Sequence, residues 1–338
     1  MKTKNILLGH GSGGSLTHEL IKSIFVKHFS NPILNVQGDS ALLDITSSKV
    51  SMTTDSFVVD PLFFPGGDIG KLAVAGTVND LAVSGAIPQY LSAAFIIEEG
   101  FPIADLEDIV KTMASEAKKA GVYIVTGDTK VVERGKCDKL FINTTGIGVL
   151  EDSKEKIGSG NQIEVGDKIL INGAIGNHGM AIMAKRNDLK LTAKISSDCA
   201  CLNHMISKVL DAGIRVKFMR DATRGGLSTV LHEMVDGKDY GLEIDEAQLR
   251  VDEEVQGICE LLGFDPMYVA NEGKVVIVVH PDDAEQALKI LQSDEFGPDA
   301  SIIGTIVKDH PSKGYIKTMI GGKRIVDMLS GEQLPRIC

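Results

Sequence analysis

The sequence predicts a mixed α/β (α+β) protein with two domains, and three observations support this fold class. The chain has 338 residues, which is long for a single core. Amphipathic helices and short apolar strands alternate in both halves, as in folds where helices cover sheets. A polar stretch with several glycines, residues 151–166, separates the halves. We therefore expect a first domain over 1–155, a second over 156–330 and a mobile tail over 331–338.

The first half begins with a glycine-rich segment, residues 9–14, which we expect to be flexible. Apolar residues spaced near four predict a helix over 15–29. Residues 41–54 are typical of a hairpin with its turn at 47–48. The remaining elements expected in this half are a buried helix over 68–84, a strand over 89–97, a helix over 103–120 ended by Gly121, and strands over 122–125 and 140–149.

The second half continues the alternation of strands and helices. The predicted helices cover residues 177–187, 199–212, 226–236 and 282–292. The predicted strands cover residues 168–172, 241–245, 274–280 and 301–307. We find no short repeat, so the two halves are predicted as separate units and not as a solenoid.

Composition argues against several classes of function. A net charge of -11, 5% aromatic residues and no Trp do not suit a nucleic-acid surface built on basic and stacking side chains. No apolar run is long enough to cross a membrane, and the N-terminus is too quickly polar for a signal peptide. The five cysteines show neither a disulfide framework nor a zinc spacing, which fits a reducing cytoplasm. They are Cys137, Cys199, Cys201, Cys259 and Cys338.

Four acidic residues of the first half lie beside Gly, Ser, Thr or Asn, and we expect them at the ends of strands or helices. They are Asp39, Asp55, Asp80 and Asp128. Converging carboxylates can hold Mg²⁺, which in turn neutralises nucleotide phosphates. Residues 9–14 lack the spacing of a Walker A loop, so a phosphate site of that kind is excluded. Aspartate is also common in ordinary turns, and spacing alone leaves open whether the four converge.

The chain ends at Cys338. A terminus is usually the least restrained segment of a protein, and a thiolate is a nucleophile that can carry an acyl-type group. The terminal thiol therefore suggests a carrier arm that brings a bound fragment to a distant active site. A surface thiol without function is the alternative.

Taken together, these segments resemble the aminoimidazole ribonucleotide synthetase superfamily. The resemblance covers the chain nearly end to end, and within the superfamily the chain resembles the carbamoyl dehydratases of hydrogenase maturation. The motifs that carry it are Gly-Asp-Ser-Ala at 38–41, Thr-Asp-Ser at 54–56, Gly-Thr-Val-Asn-Asp-Leu-Ala at 76–82, Gly-Asp-Thr-Lys at 127–130, His-Gly-Ser-Gly-Gly at 10–14, Arg-Asp-Ala-Thr-Arg-Gly-Gly at 220–226, Asn-Glu-Gly at 271–273 and Pro-Arg-Ile-Cys at 335–338.

The resemblance implies a fold, a reaction and partners. It implies a first domain that binds ATP and Mg²⁺ and forms a β-barrel at the interface of a homodimer, followed by a C-terminal α/β domain. It implies that a carbamoyltransferase, HypF, loads the terminal thiol with a carbamoyl group. The protein would then use ATP to dehydrate this group to a thiocyanate. The cyanide would pass to iron held by a HypC–HypD complex, on the way to a [NiFe] hydrogenase.

The resemblance also implies roles for individual residues. Cys338 would carry the carbamoyl group, Glu272 would act as the base on its nitrogen, and Lys130 would orient it or offset phosphate charge. A helix cap or salt bridge is the alternative for Glu272, and a solvated side chain for Lys130. The predicted metal ligands are Asp55, Asp80 and Asp128. The predicted nucleotide-binding residues are His10, Gly11, Gly13, Asp39, Lys71, Asn79, Arg220 and Asp221, with Arg224 as a further phosphate contact.

Two other functions stay open at this point. The chain could be a different ATP-dependent kinase or ligase of the superfamily that acts on a small metabolite. Cys338 argues against this, because such reactions need no tethered thiol. It could also be a non-enzymatic scaffold that presents the thiol to partners, and the four acidic segments argue against that reading.

Overall fold

The computed structural model describes residues 3–38, 40–188, 195–328, 334 and 336–338. Within these residues it contains two large open sheets, each covered by helices, and one small two-stranded sheet. The helical elements are α1 over 15–29, with a π-helical middle, then α2 (Ile69–Val83), α3 (Ile103–Ala120), α4 (Asn177–Arg186), α5 (Asn203–Asp211), α6 (Gly226–Val235), α7 (Glu253–Leu262) and α8 (Ala284–Gln292). No helix in these ranges is both long and apolar enough to cross a membrane.

The strands fall into the same two halves as the helices. They are β1 (Val50–Phe57), β2 (Phe63–Phe64), β3 (Gly67–Asp68), β4 (Ile87–Glu98), β5 (Tyr123–Val132), β6 (Leu140–Val149), β7 (Lys168–Ile171), β8 (Val216–Asp221), β9 (Gly241–Asp245), β10 (Val275–Val279), β11 (Ser301–Val307), β12 (Gly314–Lys317) and β13 (Lys323–Val326).

The first half builds a four-stranded sheet in the order β1-β6-β4-β5. Strands β4 and β5 run parallel and the other neighbours run antiparallel. Every second residue of β6 is buried, so the sheet has one face on the core. The sheet is open within the described chain, because β1 and β5 are its edges. A closed β-barrel is therefore not formed by one chain.

Helix α2 is buried on nearly all sides because it lies between the two domains. It packs against β1 and β6 of the first sheet and against α5 and β8 of the second domain. Its N-terminus is capped by Asp68, whose Oδ1 accepts hydrogen bonds from the N–H groups of Gly70 and Lys71 at 2.7 and 3.0 Å. The prediction of a buried helix over 68–84 is confirmed.

The predicted hairpin over 41–54 is wrong in its first half. Residues 41–46 have no regular structure and Leu42 is 89% exposed, whereas β1 pairs along its whole length with the distant β6. The prediction that the acids lie at the ends of elements is confirmed for Asp80, which is in the last turn of α2, and is wrong for Asp55 and Asp128. Asp55 lies inside β1, Asp80 inside α2 and Asp128 inside β5, which is longer than predicted because it pairs with β4 as far as Val132.

The second half forms a seven-stranded sheet in the order β13-β12-β9-β11-β7-β10-β8. All pairs are antiparallel except β12 with β9. Strand β10, Val-Val-Ile-Val-Val, is buried on both faces. Its alternate side chains join two cores, one with α6 and the other with α5 and α8.

Most predicted elements of this domain are found, with two kinds of difference. Helix α5 begins at Asn203 and not at residue 199, because Asn79 Oδ1 accepts the N–H of Leu202 at 2.7 Å and holds the preceding residues outside the helix. Helix α7 and strands β8, β12 and β13 were not predicted. For α7, the apolar spacing of Val255, Ile258 and Cys259 was a readable pattern.

Candidate active site

Three acidic side chains from three elements line an open cleft of about 430 Å³ between the domains. Asp55 comes from β1, Asp80 from the last turn of α2 and Asp221 from the end of β8. Thr53 donates a hydrogen bond to Asp80 at 2.7 Å. Burial, followed by the charge of Asp80, raises the pKa of Asp55 to about 6 and that of Asp221 to about 7.

Asp55 and Asp80 are two of the three predicted Mg²⁺ ligands, whereas the third, Asp128, does not line this cleft. Across the described ranges, no three His, Cys, Asp or Glu side chains are close enough to form a ready metal site. The electrostatics nevertheless fit a cation, because Asp55, Asp80 and Asp221 repel one another and a divalent ion would relieve that repulsion. Binding of such an ion would draw the carboxylates together. Asp39 lies outside the described residues.

Glu272 is a buried acid with an unused oxygen. Its pKa is raised well above the ordinary value by burial, then by the charges of Asp221, Asp198 and Asp55. Its Oε1 has no hydrogen-bond partner among the residues that the structure describes. Its main chain is fixed by Asp198, whose two carboxylate oxygens accept the N–H groups of Glu272 and Gly273 at 3.1 and 3.2 Å. The unpartnered oxygen can exchange a proton with a group that is brought into contact with it.

The end of the chain is docked at the junction of the two domains. The main-chain oxygen of Cys338 accepts the N–H of Val58 at 3.0 Å. Ile337 is buried, and its carbonyl oxygen lies 2.8 Å from His178 Nε2. The carbonyl oxygen of Arg336 accepts a hydrogen bond from Arg186 Nη2 at 2.8 Å. The tail is thus held through its main chain by groups of both domains.

Arg336 has a left-handed main chain, with φ 51°, which a residue with a side chain rarely adopts. Its side chain makes contacts that support this conformation. Nε donates to the carbonyl oxygen of Val58 at 2.9 Å, Nη1 forms an ion pair with Asp138, and the guanidinium lies 5.9 Å from the ring centre of Phe141.

The thiol of Cys338 lies within electrostatic reach of the acidic cleft. Its pKa is raised to about 12, first by burial and then by the carboxyl group of Glu272. Asp55 raises this pKa further and Arg224 lowers it. The structure therefore brings together the predicted carrier thiol, the predicted base and one predicted metal ligand. The docked thiol is protonated and is a poor nucleophile in this position.

A second cleft, of about 230 Å³, holds a different group of predicted residues. Gly11, Gly13, Asp128 and Lys130 line its polar side, while phenylalanine rings line its apolar side. Lys130 Nζ pairs with Asp128 Oδ1 at 3.2 Å, and both side chains are exposed. Within one chain, these residues lie in a cleft separate from the acids and the tail. The sequence motifs had predicted a single site, whereas the structure has two clefts.

The glycine-rich segment begins with a turn of 3₁₀ helix over Leu8–Gly11. A Cβ on Gly11 would lie 2.5 Å from the main-chain nitrogen of Val131, so the segment fits tightly against β5. His10 is buried, and its Nδ1 accepts the N–H of Leu7 at 2.9 Å. Its Nε2 has no partner in the structure.

Three other predicted nucleotide ligands are occupied by protein contacts. Asn79 joins the domains, because its amide also donates to the carbonyl oxygen of Ala200 at 2.9 Å. Lys71 Nζ donates to the carbonyl oxygen of Gly66 at 3.0 Å and lines a third cleft. Arg220 pairs with Glu233 at 2.7 Å on the rim of the acidic cleft. Of the three, only Arg220 borders the acids.

Sequence reasoning did not identify four residues that fix the tail and the buried acid. They are Asp138, His178, Arg186 and Asp198. Their partners are far away along the chain: His178 and Ile337 are 159 positions apart. No local spacing or motif marks such a contact.

Comparison with known proteins places both halves in one family. The model of the AIR synthase related protein N-terminal domain matches residues 37–150, and that of the C-terminal domain matches residues 164–317. Carbamoyl dehydratase HypE of Rhodobacter capsulatus is 47% identical, with 100% of this chain and 99% of the relative covered. Carbamoyl dehydratase HypE of Escherichia coli (strain K12) is 48% identical, with 99% of each chain covered.

Solved structures give the same result. A crystal structure of hydrogenase maturation protein HypE in complex with ATP has a TM-score of 0.94 at 45% identity, with 98% of this chain and 99% of that chain covered. The crystal structure of a HypE–HypF complex has a TM-score of 0.78 at 49% identity, with 94% and 100% covered.

Proposed function

The chain belongs to the HypE family of carbamoyl dehydratases, and we propose that it uses ATP to dehydrate a carbamoyl group carried on Cys338 to a thiocyanate. The product supplies the cyanide ligand for the iron of a [NiFe] hydrogenase. One observation carries this assignment: the docked tail brings the Cys338 thiol within electrostatic reach of Glu272 and Asp55. The proposed carrier thiol is thus close enough to the buried acid and to one carboxylate of the cleft for both to raise its pKa.

The chemistry needs ATP because an amide oxygen is a poor leaving group in water. The thiocarbamate oxygen attacks the γ-phosphorus of ATP, ADP leaves, and the nitrogen loses a proton. The carbon–oxygen bond then breaks, phosphate leaves, and the nitrogen loses its second proton. The product on sulfur is S–C≡N, and the oxygen of the carbamoyl group ends in phosphate.

Glu272 is the proposed base for these two protons. Its raised pKa makes its carboxylate a stronger base than an exposed glutamate. Its unpartnered Oε1 is available for the nitrogen of the carbamoyl group. The fixed main chain around Glu272 supports this role, since Asp198 and Gly273 leave it little freedom: a Cβ on Gly273 would lie 1.9 Å from the Asp198 carbonyl oxygen.

ATP and Mg²⁺ are proposed to bind at the acidic cleft. Asp55, Asp80 and Asp221 would hold the ion, which supplies neutralising charge to the triphosphate when bound. Arg220 and Arg224 line the same cleft and are proposed phosphate contacts. The relative solved with ATP supports the nucleotide assignment. Asp39 remains a proposed ligand from its motif, as do His10, Lys71 and Asn79, although the contacts of Lys71 and Asn79 give those two no support.

A homodimer is proposed to bring the second cleft to the acidic one. Asp128 and Lys130 lie apart from Glu272 within one chain, yet their motif carries the family resemblance. The open sheet has β1 and β5 as its outer strands, and it exposes apolar side chains such as Met52, which is 68% exposed. Two such sheets closing on each other would form the expected β-barrel. Lys130 would then orient the carbamoyl group or offset phosphate charge, with Asp128, Gly11 and Gly13 near the nucleotide.

The proposed domain limits remain 1–155, 156–330 and a tail over 331–338, supported by the two separate sheets. The carbamoyltransferase HypF is the proposed donor, supported by the solved complex of a relative with HypF. A HypC–HypD complex is the proposed acceptor of the cyanide. We also propose a cytoplasmic site of action, supported by the five free cysteines.

The test follows the C-terminal peptide by mass spectrometry. The parent protein and the matched variant Cys338→Ser are each incubated with HypF, carbamoyl phosphate and Mg-ATP. The expected result is a carbamoyl adduct on Cys338 that loses one water in the presence of ATP. If Cys338→Ser consumed ATP and formed cyanide as well as the parent protein, the carrier mechanism would be overturned. A metabolite kinase or ligase, and a scaffold, would give no dehydrated adduct.

A further inference from the structure

We propose that His178 positions the carbamoylated tail for dehydration, acting together with Ser197 and without touching the reacting atoms. The inference rests on the proposed function, because it concerns the same tail and the same reaction. His178 lies in the first turn of α4, and its side chain is fully buried. The Phe64 ring packs edge-on against the imidazole at a centre-to-centre distance of 5.6 Å.

The hydrogen bonds of His178 can be assigned unambiguously. The carbonyl oxygen of Ile337 can only accept, so His178 Nε2 carries the proton and donates at 2.8 Å. Burial lowers the pKa of His178, so the ring is neutral. In the neutral ring Nδ1 accepts, and the Ser197 hydroxyl donates to it at 2.8 Å. The same hydroxyl oxygen accepts the N–H of Cys199 at 3.0 Å. Each of these three hydrogen bonds has a defined donor and acceptor, which fixes the orientation of the imidazole ring.

The segment that orients His178 also holds the proposed base. Ser197 is bound to the ring, and the next residue, Asp198, accepts the main-chain N–H groups of Glu272 and Gly273. Ser197 is itself fixed, because its N–H donates to the carbonyl oxygen of Pro65 at 2.8 Å. Two adjacent residues therefore set the tail and the base relative to each other. A small error in this spacing would separate the nitrogen of the carbamoyl group from Glu272.

This arrangement distinguishes dehydration from loading. The docked thiol is half-buried between the domains, so HypF must reach Cys338 with the tail released. The His178 contact exists only in the docked state. Loss of the contact should therefore slow the conversion of the carbamoyl adduct, while the adduct itself still accumulates.

The variants are His178→Ala, which removes the donor, and His178→Gln, whose amide N–H can replace it. Single-turnover conversion of the carbamoyl adduct with Mg-ATP is followed by mass spectrometry. We expect His178→Ala to be slower by about 10- to 100-fold, with substantial rescue by His178→Gln. Thermal unfolding and calorimetric ATP binding show whether the fold is kept. If His178→Ala does not fold, Ser197→Ala is used in its place, because it removes the hydrogen bond that orients the ring. We expect it to slow conversion of the adduct less than His178→Ala would.

A second measurement detects whether the tail is docked and does not depend on the dehydration reaction. The unloaded protein is treated with iodoacetamide, and alkylation of the C-terminal peptide is timed. We expect faster alkylation of Cys338 in His178→Ala and a rate near that of the parent in His178→Gln. Parental conversion and alkylation rates in His178→Ala would overturn the inference. Equal slowing in both variants, with unchanged alkylation, would also overturn it, since it would mark a purely structural role. Failure of the parent protein to dehydrate its adduct would instead overturn the proposed function, and the alkylation comparison would still decide on His178.

Discussion

The buried carboxyl group of Glu272 lies close enough to the Cys338 thiol to raise its pKa, although 66 positions separate them in the chain. Burial is the larger cause of the raised pKa, and the carboxyl group is the next. The tail residues that produce this proximity contact the first domain at Val58 and the second at His178. The reacting sulfur and the proposed base are thus brought together only when both domains and the tail are folded on one another.

Removing the proposed base should stop dehydration and spare loading. We expect Glu272→Gln to accept a carbamoyl group from HypF and to convert it about 10²- to 10⁴-fold more slowly, because the nitrogen protons have no acceptor. The C-terminal adduct is followed by mass spectrometry. Glu254→Gln, on the surface of α7, is the matched control and should behave like the parent protein. Normal conversion in Glu272→Gln would assign the base to another residue.

Loss of the Arg336–Asp138 ion pair should release the tail only partly. Both side chains are more than a third exposed, so the pair is worth at most about 1 kcal/mol. Asp138→Asn should therefore increase the rate at which iodoacetamide alkylates Cys338 by a few fold. Arg336→Ala also loses the bond to Val58 and should show a larger increase. The idea fails if Asp138→Asn exposes the thiol more than Arg336→Ala does.

Alkaline pH should weaken docking of the unloaded tail in the metal-free protein. The thiol has a pKa of about 12 when docked, against an ordinary value of 9.0. A raised pKa means that the contribution of this group to docking is complete below pH 9.0 and is lost as the pH rises toward 12. Hydrogen exchange at the Val58 amide, compared at each pH between the parent and Cys338→Ser, measures this change. Parallel curves for the two proteins would contradict the prediction.

Neutralising Asp221 should stabilise the metal-free protein while it impairs function. Its raised pKa, about 7, means that folding is opposed by its charge as the pH rises above its ordinary value of 3.8. At pH 8, Asp221→Asn should raise Tm, by roughly 2–4 °C for each kcal/mol of repulsion removed. It should also weaken binding of Mg-ATP. Asp128→Asn is the matched control and should leave Tm nearly unchanged. A lower Tm for Asp221→Asn would mean that the acids are not repelling one another.

Local pattern was sufficient for elements whose evidence lies within a few residues. Helix α3 and strand β6 begin and end where they were predicted, because one has a continuous apolar stripe ended by Gly121, which has φ 74°, and the other is a bounded apolar run. The prediction of a hairpin over 41–54 was wrong because β1 pairs with β6, which lies almost one hundred positions away in the chain. Pairing between distant strands depends on the sheet as a whole, and the sequence next to β1 contains no pattern that indicates it.

In the candidate site too, local motifs identified residues but not the contacts between distant parts of the chain. Motifs identified Asp55, Asp80, Glu272 and Cys338, and the structure brings these residues to one junction. They could not show that Lys130 and Asp128 lie in another cleft of the chain, because a motif carries no distance between elements. His178 was not predicted, since its meaning comes only from the tail carbonyl group that it contacts.

The tail is recognised largely through the main-chain oxygens of its last three residues, and none of these atoms changes when the sulfur is loaded. Free, carbamoylated and cyanated ends should therefore compete for the same position with comparable affinity. Selective binding then cannot drive the cycle forward. Its direction must come from the irreversible departure of phosphate.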